Sequence, residues 1–549
     1  MNRKIIVIGG VAGGASVAAR LRRLDEDADI IVLERGDYIS FANCGLPYYI
    51  GGVIKNRKRL IVQTVAEMQE KFRLDIRTKH EVLSIDRSRK TLIIKRLETD
   101  VTYEEAYDKL VISTGAAPVK PPIPGIKEAK NLFTLRTIPD TDAIHDYIAT
   151  FHPATAAVVG GGFIGLEMAE NLQNLGITVT IIEMADQVLT PIDPEMAVIV
   201  HRHLAAHGVD LILNDGVKAF EDEGRRIILA SDRVVTADLI LFAVGVRPEN
   251  QLAKAAGLEL GGRGGILTDA NMRTNDPDVY AIGDAAEITD FVSGTKTMIA
   301  LAGPANKQAR IAANDICGVP DAYAGALGTA VVKVFDLTVA STGMNEKALK
   351  AAGLPYRALH THPDSHADYY PGAETIAMKL LFHPETGAIY GAQAVGGEGG
   401  CKRIDVLATA IYAHLRVTDL KNLDLAYAPP YSSAKDPVNM LGFYGENLMS
   451  GLDETFQWHE IAGLAKEGAY FLDVREPYEF ARGALPNAVN IPLGKLRSHL
   501  GELPRTKPIH VYCLSGVRSH SALRILVQNG FMAKNLDGGY ATYKRLFKS

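Results

Sequence analysis

The amino-acid sequence predicts an α/β protein built from several domains. Its 549 residues are too many for one hydrophobic core, because cores stop growing at roughly 250 to 300 residues. Short β-branched runs that end in glycine turns and lead into helical stretches occur twice, at 4–24 and 156–175. From about Tyr323 the pattern changes to longer β-rich segments with one helix around 405–414. The segment 436–451 is rich in Gly, Asn and Pro and predicts a connector. A fresh α/β pattern starts near Thr455, with strands predicted near 471–474 and 509–512. We therefore expect three or four domains.

Composition argues against several classes of protein. The chain is 47% hydrophobic and 22% charged, which is typical of globular proteins. The net charge of −5 is spread along the chain, so we expect no nucleic-acid partner. No apolar stretch approaches the ~20 residues that span a bilayer, and glycines interrupt the apolar run after Lys4, unlike a signal peptide. We expect a cytoplasmic protein with no membrane partner.

The cysteines lie far apart and form no CxxC pair: Cys44, Cys317, Cys401 and Cys513. This spacing argues against a disulfide scaffold, a zinc site and a dithiol motif, so no metal is expected. Each thiol is then either a small buried hydrophobe or a reactive group. The local sequence must distinguish the two.

A glycine-rich turn follows the first predicted strand, where a backbone can approach a pyrophosphate at a helix N-terminus. On the GxGxxG template, Gly9 and Gly14 fit and Val11 does not. Glu34 ends the next predicted strand, where a ribose-binding acid is expected. Together these features predict a dinucleotide site formed by Gly9, Gly10, Val11, Ala12, Gly13, Gly14, Glu34 and Arg35.

A second glycine turn matches the whole GxGxxG template, and Glu183 closes the strand after it. A carboxylate there accepts hydrogen bonds from ribose hydroxyls and repels a 2′-phosphate, which favours NADH over NADPH. Two dinucleotide sites are typical of a flavoprotein that receives electrons from a nicotinamide. The residues predicted for the second site are Gly160, Gly162, Phe163, Ile164, Gly165 and Glu183.

Three further segments resemble the pyridine nucleotide-disulfide oxidoreductases: 114–118, 245–248 and 274–284. The resemblance implies FAD and NADH as cofactors, bound by two nested Rossmann-like domains. It also implies that Asp284 contacts the ribityl-phosphate part of FAD. The cofactor-binding residues that it adds are Thr114, Gly115, Gly245, Gly283 and Asp284.

Cys44 precedes a predicted short helix, whose N-terminus is expected to lower the thiol pKa and favour a nucleophilic thiolate. Most members of the family use two cysteines a few residues apart, but Cys44 has no such neighbour. The chain therefore resembles the single-cysteine branch of coenzyme A-disulfide reductases, NADH peroxidases and NADH oxidases. Members that reduce peroxide or oxygen carry a histidine at the position of Ala12, so the coenzyme A-disulfide reductase group is favoured.

Resemblance to that group also implies substrate-binding residues. Those that match contacts with coenzyme A are Ser16, Arg20, Arg23, Ser40 and Asn43, and Lys71 lies close to another expected contact. Cations suit the phosphates of coenzyme A. From the residues alone, Arg20 and Arg23 fit a solvated helix face equally well.

Segments 366–372 and 427–431 resemble those that place two tyrosines of one subunit near the cysteine of its partner. A phenol there can donate a proton to a leaving thiolate. We expect these residues to be Tyr369 and Tyr427, with Tyr370 and Tyr431 as alternatives, in a homodimer. The run from Gly400 to Arg403 departs from the Val-Asp-Lys-Arg common in relatives, and the sequence does not explain the change.

The C-terminal segment resembles a rhodanese domain at 472–477, 483–492 and 511–519. Cys513 follows a predicted strand, and its loop runs into a helix, so backbone N–H groups can converge on the sulfur. Four residues separate Cys513 from Arg518, one fewer than in the phosphatase loop, which fits sulfur better than phosphate. We expect Cys513 and Arg518 to be catalytic residues.

These expectations combine into one architecture and one function. We predict an FAD domain (1–120 and 250–322), an NADH domain (121–249), an α+β dimerisation domain (323–448) and a rhodanese-like α/β domain (455–549). The predicted activity is NADH-dependent reduction of a persulfide, polysulfide or disulfide of coenzyme A through Cys44. The alternatives are an NADH oxidase or peroxidase, a plain coenzyme A-disulfide reductase with an accessory rhodanese module, and a flavoprotein interaction module.

Overall fold

The computed structural model describes residues 3–547, which form two compact units. The first unit comprises the chain up to Val188 together with Gly208–Gly328. The second comprises Leu189–His207 and the chain from Thr329 onward. Among the described residues, no helix is long and apolar enough to cross a membrane.

The first unit contains a parallel sheet whose central strand, Lys4–Ile8, leads into the first glycine loop. This strand is apolar and buried because it pairs on both sides. The following helix, Ala12–Leu24, packs against helix Ala302–Ile316. The strands run in the order Val279–Ala281, Lys109–Ile112, Lys4–Ile8, Asp29–Glu34 and Asp75–Thr78. The strand, turn and helix predicted at 4–24 are therefore confirmed.

A second parallel sheet in this unit repeats the arrangement. Strand Thr155–Val159 leads through the second glycine loop into helix Phe163–Asn174, as predicted. The strand order is Asp210–Ile212, Thr178–Ile182, Thr155–Val159, Leu239–Phe242 and Leu132–Phe133. Both loops therefore lie at the carboxyl end of a central strand, the edge where α/β sheets bind ligands.

Smaller elements complete the first unit. One antiparallel sheet consists of His80–Asp86, Thr91–Arg96 and Val101–Ala106. A second consists of Val217–Glu221, Arg226–Leu229 and Val234–Thr236. Strand Ala116–Pro118 pairs with Val246–Pro248, and Lys296–Thr297 pairs with Ala286–Thr289. Strand Ile266–Leu267 pairs parallel with Ala286–Thr289. The remaining α-helices are Leu46–Ile50, Val65–Phe72, Ile138–Phe151 and Gln251–Ala255. Short 3₁₀ helices span Asn43–Gly45, Arg57–Leu60, Asp222–Gly224 and Gly283–Ala285.

The second unit contains an antiparallel sheet ordered Ala330–Val334, Leu337–Gly343, Ile389–Gly396, Ala377–Phe382 and Arg357–Thr361. Helix Gly400–Tyr412 packs on this sheet, where the sequence predicted one helix around 405–414. The other helices of this part are Pro194–Ala206, Glu346–Ala351, Pro437–Met449 and the 3₁₀ helix Val417–Asn422.

The prediction of a connector at 436–451 is wrong, because the structure has helix Pro437–Met449 there. The Asp436 side chain accepts a hydrogen bond from the Val438 N–H and caps the helix. A Cβ on Gly442 would lie 2.2 Å from the backbone nitrogen of Lys421. The glycines that suggested a loop thus allow this helix to pack closely against Val417–Asn422.

The C-terminal residues of the second unit form a small parallel sheet ordered Thr455–Phe456, Ala533–Leu536, Ile509–Tyr512, Tyr470–Asp473 and Val489–Asn490. The two strands predicted near 471–474 and 509–512 are confirmed. The helices are Ile461–Lys466, Pro477–Ala481, Val517–Gln528, Gly539–Phe547 and the 3₁₀ helices Trp458–Glu460 and Leu493–Glu502.

A buried ionic cluster joins three parts of the second unit. The Lys379 ammonium lies 2.9 Å from Asp193 and 2.5 Å from Glu195, and it also contacts Glu346. His360 lies between Glu195, at 2.9 Å from Nε2, and Asp537 of the C-terminal domain, at 2.5 Å from Nδ1. Burial alone would raise the pKa of the Glu195 carboxyl. The Lys379 ammonium and His360 outweigh this effect and hold that pKa well below its usual value. The cluster therefore fixes the C-terminal domain against the antiparallel sheet.

Candidate functional site

The first glycine loop has the geometry of a phosphate cradle. Gly9 adopts φ +96°, and a Cβ on Gly14 would lie 1.7 Å from the Gly9 carbonyl oxygen. The helix can therefore approach the turn only with glycine at both positions. The Glu34 carboxylate accepts hydrogen bonds from the N–H groups of Gly10 at 2.8 Å and Gly36 at 2.7 Å, which hold it beside the loop. These residues fit the adenosine half of FAD.

The second glycine loop has the same backbone geometry as the first. Gly160 adopts φ +109°, and a Cβ on Gly165 would lie 2.0 Å from the Gly160 carbonyl oxygen. Glu183 accepts a hydrogen bond from the Gly161 N–H at 2.7 Å, so its carboxylate lies beside the turn. A Cβ on Gly162 would meet open space, which leaves room for a pyrophosphate at the helix N-terminus. Phe163 and Ile164 begin that helix, and the loop fits NADH.

The other predicted cofactor residues lie in the same unit. Arg35 forms an ion pair with Glu249, and the Thr114 hydroxyl donates to the Glu249 carbonyl oxygen at 2.7 Å. Asp284 lies in the turn after strand Val279–Ala281 and pairs with Arg136 at 2.9 Å. Gly115, Gly245 and Gly283 all adopt positive φ, as turns between these segments require.

Cys44 lies inside the 3₁₀ turn Asn43–Gly45, which runs into the five-residue helix Leu46–Ile50. Its side chain is solvent-accessible. The prediction of a lowered thiol pKa is wrong. Partial desolvation raises the pKa of Cys44, the carboxylates of Glu167 and Asp284 raise it further, and Arg136 only partly offsets them. A raised pKa disfavours the thiolate, so a neighbouring proton acceptor would assist the attack on a substrate.

Glu167 is a candidate proton acceptor that sequence reasoning missed. It lies on helix Phe163–Asn174 and accepts a hydrogen bond from the Tyr48 hydroxyl at 3.2 Å. Burial raises the pKa of Glu167, which brings a carboxylate closer to the range where it can take a thiol proton. No local pattern indicated it, because Glu167 and Cys44 are far apart in the sequence.

The residues predicted to bind coenzyme A fall into two groups. On the first helix, the Ser16 hydroxyl contacts Asn306, and Arg20 donates two hydrogen bonds to the Asn314 side-chain oxygen. The cations of Arg23 and Lys71 lie over the same ring, Phe72, at 4.9 and 5.4 Å from its centre. Ser40 and Asn43 lie beside Cys44 in sequence, and Asn43 donates to the carbonyl oxygen of Arg136.

The structure distinguishes between the candidate tyrosines. The hydroxyls of Tyr369 and Tyr427 are hydrogen-bonded at 2.8 Å, and both side chains are exposed. Tyr370 instead packs edge-on against His366. The predicted pair is therefore preassembled on the surface of the second unit.

Arg403 is a second residue whose role the sequence did not reveal. It is buried, with 1% of its surface exposed. Its guanidinium donates to the carbonyl oxygen of Ser365 and to the side chains of Ser432 and Asp436, at 3.0 to 3.1 Å. Ser365 precedes the segment of Tyr369, and Ser432 follows that of Tyr427. Arg403 therefore fixes both tyrosine segments to one helix.

Cys513 lies in a cradle of the kind expected from the sequence. The residue is buried, and its sulfur accepts hydrogen bonds from the Gly516 N–H at 3.2 Å and the Ser519 hydroxyl at 3.3 Å. Arg518 makes a bidentate ion pair with Glu479, at 2.6 and 2.8 Å. Donors directed at the sulfur stabilise negative charge on a thiolate or persulfide.

Three models of known protein families match successive parts of this chain. Residues 3–309 match the pyridine nucleotide-disulphide oxidoreductase model, and residues 329–437 match the dimerisation domain of that family. Residues 458–546 match the rhodanese-like domain. The predicted fold class is confirmed.

The relatives described here cover 80 to 100% of the chain. It is 36% identical to the coenzyme A disulfide reductase of Staphylococcus aureus (strain JH9) over 441 residues, 80% of this chain and 99% of the relative. The crystal structure of reduced Bacillus anthracis CoADR-RHD has a TM-score of 0.99 and 54% identity, covering 100% of this chain and 98% of that one. A NAD-dependent persulfide reductase from A. fulgidus has a TM-score of 0.92 and 41% identity, covering 98% and 100%. The chain therefore belongs to the pyridine nucleotide-disulphide oxidoreductase family.

Proposed function

We propose that this enzyme uses FAD and NADH to reduce the sulfur–sulfur bond of coenzyme A persulfide, polysulfide or disulfide through Cys44. The observation that carries the proposal is the presence of two differently built thiol sites in one chain. Cys44 is solvent-accessible beside carboxylates, and Cys513 is buried in a cradle of hydrogen-bond donors. The names of the similar proteins, a coenzyme A disulfide reductase and a NAD-dependent persulfide reductase, agree with it.

The chemistry requires one nucleophilic sulfur and two electrons. Cys44 loses its proton and attacks one sulfur of the substrate, so that a Cys44–sulfur bond forms and the other sulfur leaves as a thiolate. When bound, FAD would pass the two electrons of NADH to this bond. Cys44 is thereby restored, and the second product leaves as hydrogen sulfide or free coenzyme A. One NADH is consumed for each sulfur–sulfur bond.

Three groups of side chains support this reaction. Glu167, whose pKa is raised by burial, takes the thiol proton. Arg20, Arg23 and Lys71 bind the phosphates of coenzyme A, which is supported by the two cations that share the Phe72 ring. In a homodimer, Tyr369 and Tyr427 of one subunit protonate the thiolate that leaves the substrate when Cys44 of the other subunit attacks, which their mutual hydrogen bond and exposure support.

The rhodanese-like domain extends the range of sulfur donors. The Cys513 thiolate attacks the outer sulfur of a donor persulfide, so that a Cys513 persulfide forms and the donor leaves as a thiolate. The Gly516 N–H and the Ser519 hydroxyl stabilise the negative charge at this site. The thiolate of coenzyme A then attacks the outer sulfur of this persulfide, which forms coenzyme A persulfide and restores the Cys513 thiolate. The pantetheine arm, roughly 15 to 20 Å long by ordinary bond lengths, presents the new persulfide to Cys44. We also propose that the enzyme is located in the cytoplasm.

A substrate comparison tests the proposed activity against its alternatives. NADH oxidation should be steady with coenzyme A persulfide or disulfide and slow with oxygen or peroxide alone, because Ala12 replaces the histidine of the oxidases and peroxidases. Fast turnover with oxygen or peroxide would contradict the proposal. No turnover with any sulfur substrate would favour the interaction module.

The role of Cys513 is tested with small and protein-bound persulfide donors. In Cys513→Ser, NADH oxidation should be strongly slowed with the large donors and unchanged with coenzyme A persulfide. Added coenzyme A should increase the rate of NADH oxidation by the wild type with large donors. Equal loss on every substrate would show an obligatory relay through Cys513. No loss on any substrate would leave the domain without a catalytic role.

A further inference from the structure

Two histidines at the end of helix Pro194–Ala206 face a carboxylate of the same compact unit. His203 and His207 are four residues apart, so they lie on one side of the helix. Asp336 occupies the tight turn between strands Ala330–Val334 and Leu337–Gly343. One nitrogen from each histidine and one carboxylate oxygen lie within 4.8 Å of one another.

The contacts of His207 direct its second nitrogen towards this carboxylate. Its Nδ1 donates to the carbonyl oxygen of His203 at 2.9 Å, so Nε2 is the nitrogen that faces the carboxylate. Nε2 lies 3.6 Å from Oδ1 of Asp336. Phe335 stacks on the His207 ring with 4.2 Å between centres and 7° between planes, which fixes the ring.

His203 presents its Nε2 atom to the same oxygen. The two atoms are 2.7 Å apart, so they either share the proton of an ion pair or, when that proton is displaced, both face one position between them. A cation placed among the two imidazole nitrogens and the carboxylate oxygen would be attracted by all three atoms. Neutral imidazole and carboxylate are common ligands of first-row transition metals.

We propose that His203, His207 and Asp336 bind one divalent transition-metal ion, of the zinc, cobalt or nickel class. Two nitrogen ligands disfavour magnesium and calcium, which prefer oxygen. Asp336 is 79% exposed, so water can complete the coordination on the solvent side. The ion joins the end of helix Pro194–Ala206 to the strand turn and stabilises the second unit.

Within residues 3–547, a second cluster of possible ligands in this unit is already neutralised. Asp193, Glu195 and Glu346 also lie close enough to hold an ion, but the Lys379 ammonium contacts all three. A cation placed among them would have to displace this ammonium. The cluster therefore does not compete as a metal site.

Calorimetric titration of the chelator-treated, untagged flavoprotein with zinc or nickel chloride tests the proposal. The wild type should bind one ion per chain that magnesium chloride does not replace, and zinc should raise its melting temperature. His207→Ala and Asp336→Asn should each lose this ion and the rise in melting temperature. His459→Ala, an exposed histidine elsewhere in the unit, should retain both.

Binding at the thiol of Cys44 is controlled with Cys44→Ser, which should keep the ion. If His207→Ala fails to fold, Asp336→Asn decides, since that side chain is exposed. The proposal is overturned if the wild type binds no ion, or if both variants bind zinc with the stoichiometry and affinity of the wild type. These readouts are independent of enzymatic turnover, so they do not depend on the proposed function.

Discussion

The buried ion pair between His360 and Asp537 should make the stability of the C-terminal domain depend on pH. Burial alone would lower the pKa of His360, but the carboxylates of Asp537 and Glu195 raise it from 6.5 to about 9. Because the folded state binds the proton more tightly, the contribution is complete below pH 6.5 and is lost as the pH rises through 9. The difference corresponds to about 3 kcal/mol of unfolding free energy.

Asp537→Asn removes the main source of this shift. It should lower the unfolding free energy by about 3 kcal/mol near pH 6, in the range for a broken buried pair. The loss should be smaller near pH 9.5, where the wild-type pair has itself been neutralised. Trp458, the only tryptophan of the chain, lies in the C-terminal domain, so its fluorescence during urea unfolding reports this domain.

The matched control is Lys507→Met, which removes an exposed side-chain hydrogen bond to the carbonyl oxygen of Gly468 within the same domain. It should cost less than about 1 kcal/mol at either pH. An Asp537→Asn deficit that is the same near pH 6 and near pH 9.5 would refute the titration of His360. A deficit as small as that of the control would refute the buried pair itself.

Three further predictions concern the reductase. The yellow flavoprotein should be reduced by NADH faster than by NADPH, because Glu183 repels a 2′-phosphate; stopped-flow reduction with a clear NADPH preference would contradict this. Arg403→Met should lower kcat for the persulfide and leave flavin reduction by NADH unchanged, with partial recovery in Arg403→Lys, because the arginine holds both tyrosine segments; an unchanged kcat would remove its positioning role. Tyr427→Phe should lower kcat by about 10²- to 10⁴-fold if the phenol is the proton donor, whereas Tyr431→Phe should have little effect; equal effects would contradict the choice of the Tyr369–Tyr427 pair.

Local patterns predicted the fold well. The glycine loops could be read from sequence because each consists of a strand, a turn and a helix within about 20 residues. The helix Pro437–Met449 was missed for a tertiary reason, since Gly442 and Gly445 serve close packing against residues distant in sequence. Local composition cannot distinguish that use of glycine from a loop.

The sequence predicted the candidate site less well where a residue's contacts come from segments that are distant in the sequence. The pKa of Cys44 is raised by partial desolvation and by the carboxylates of Glu167 and Asp284, which the residues next to Cys44 in the sequence did not indicate. Arg403 showed no signal because Ser365 and Ser432 are far from it in sequence. By contrast, the Cys513 cradle is local, so the rhodanese-like pattern predicted its geometry.

The most direct test of the account separates the two half-reactions in Cys44→Ser. Anaerobic stopped-flow spectroscopy would follow flavin reduction by NADH and then its reoxidation by coenzyme A persulfide, with Cys317→Ser as the control thiol. The account predicts that Cys44→Ser is reduced at the wild-type rate but is not reoxidised by the persulfide, because only the second half-reaction needs a nucleophilic sulfur. Reoxidation of Cys44→Ser at the wild-type rate would contradict the assignment of Cys44.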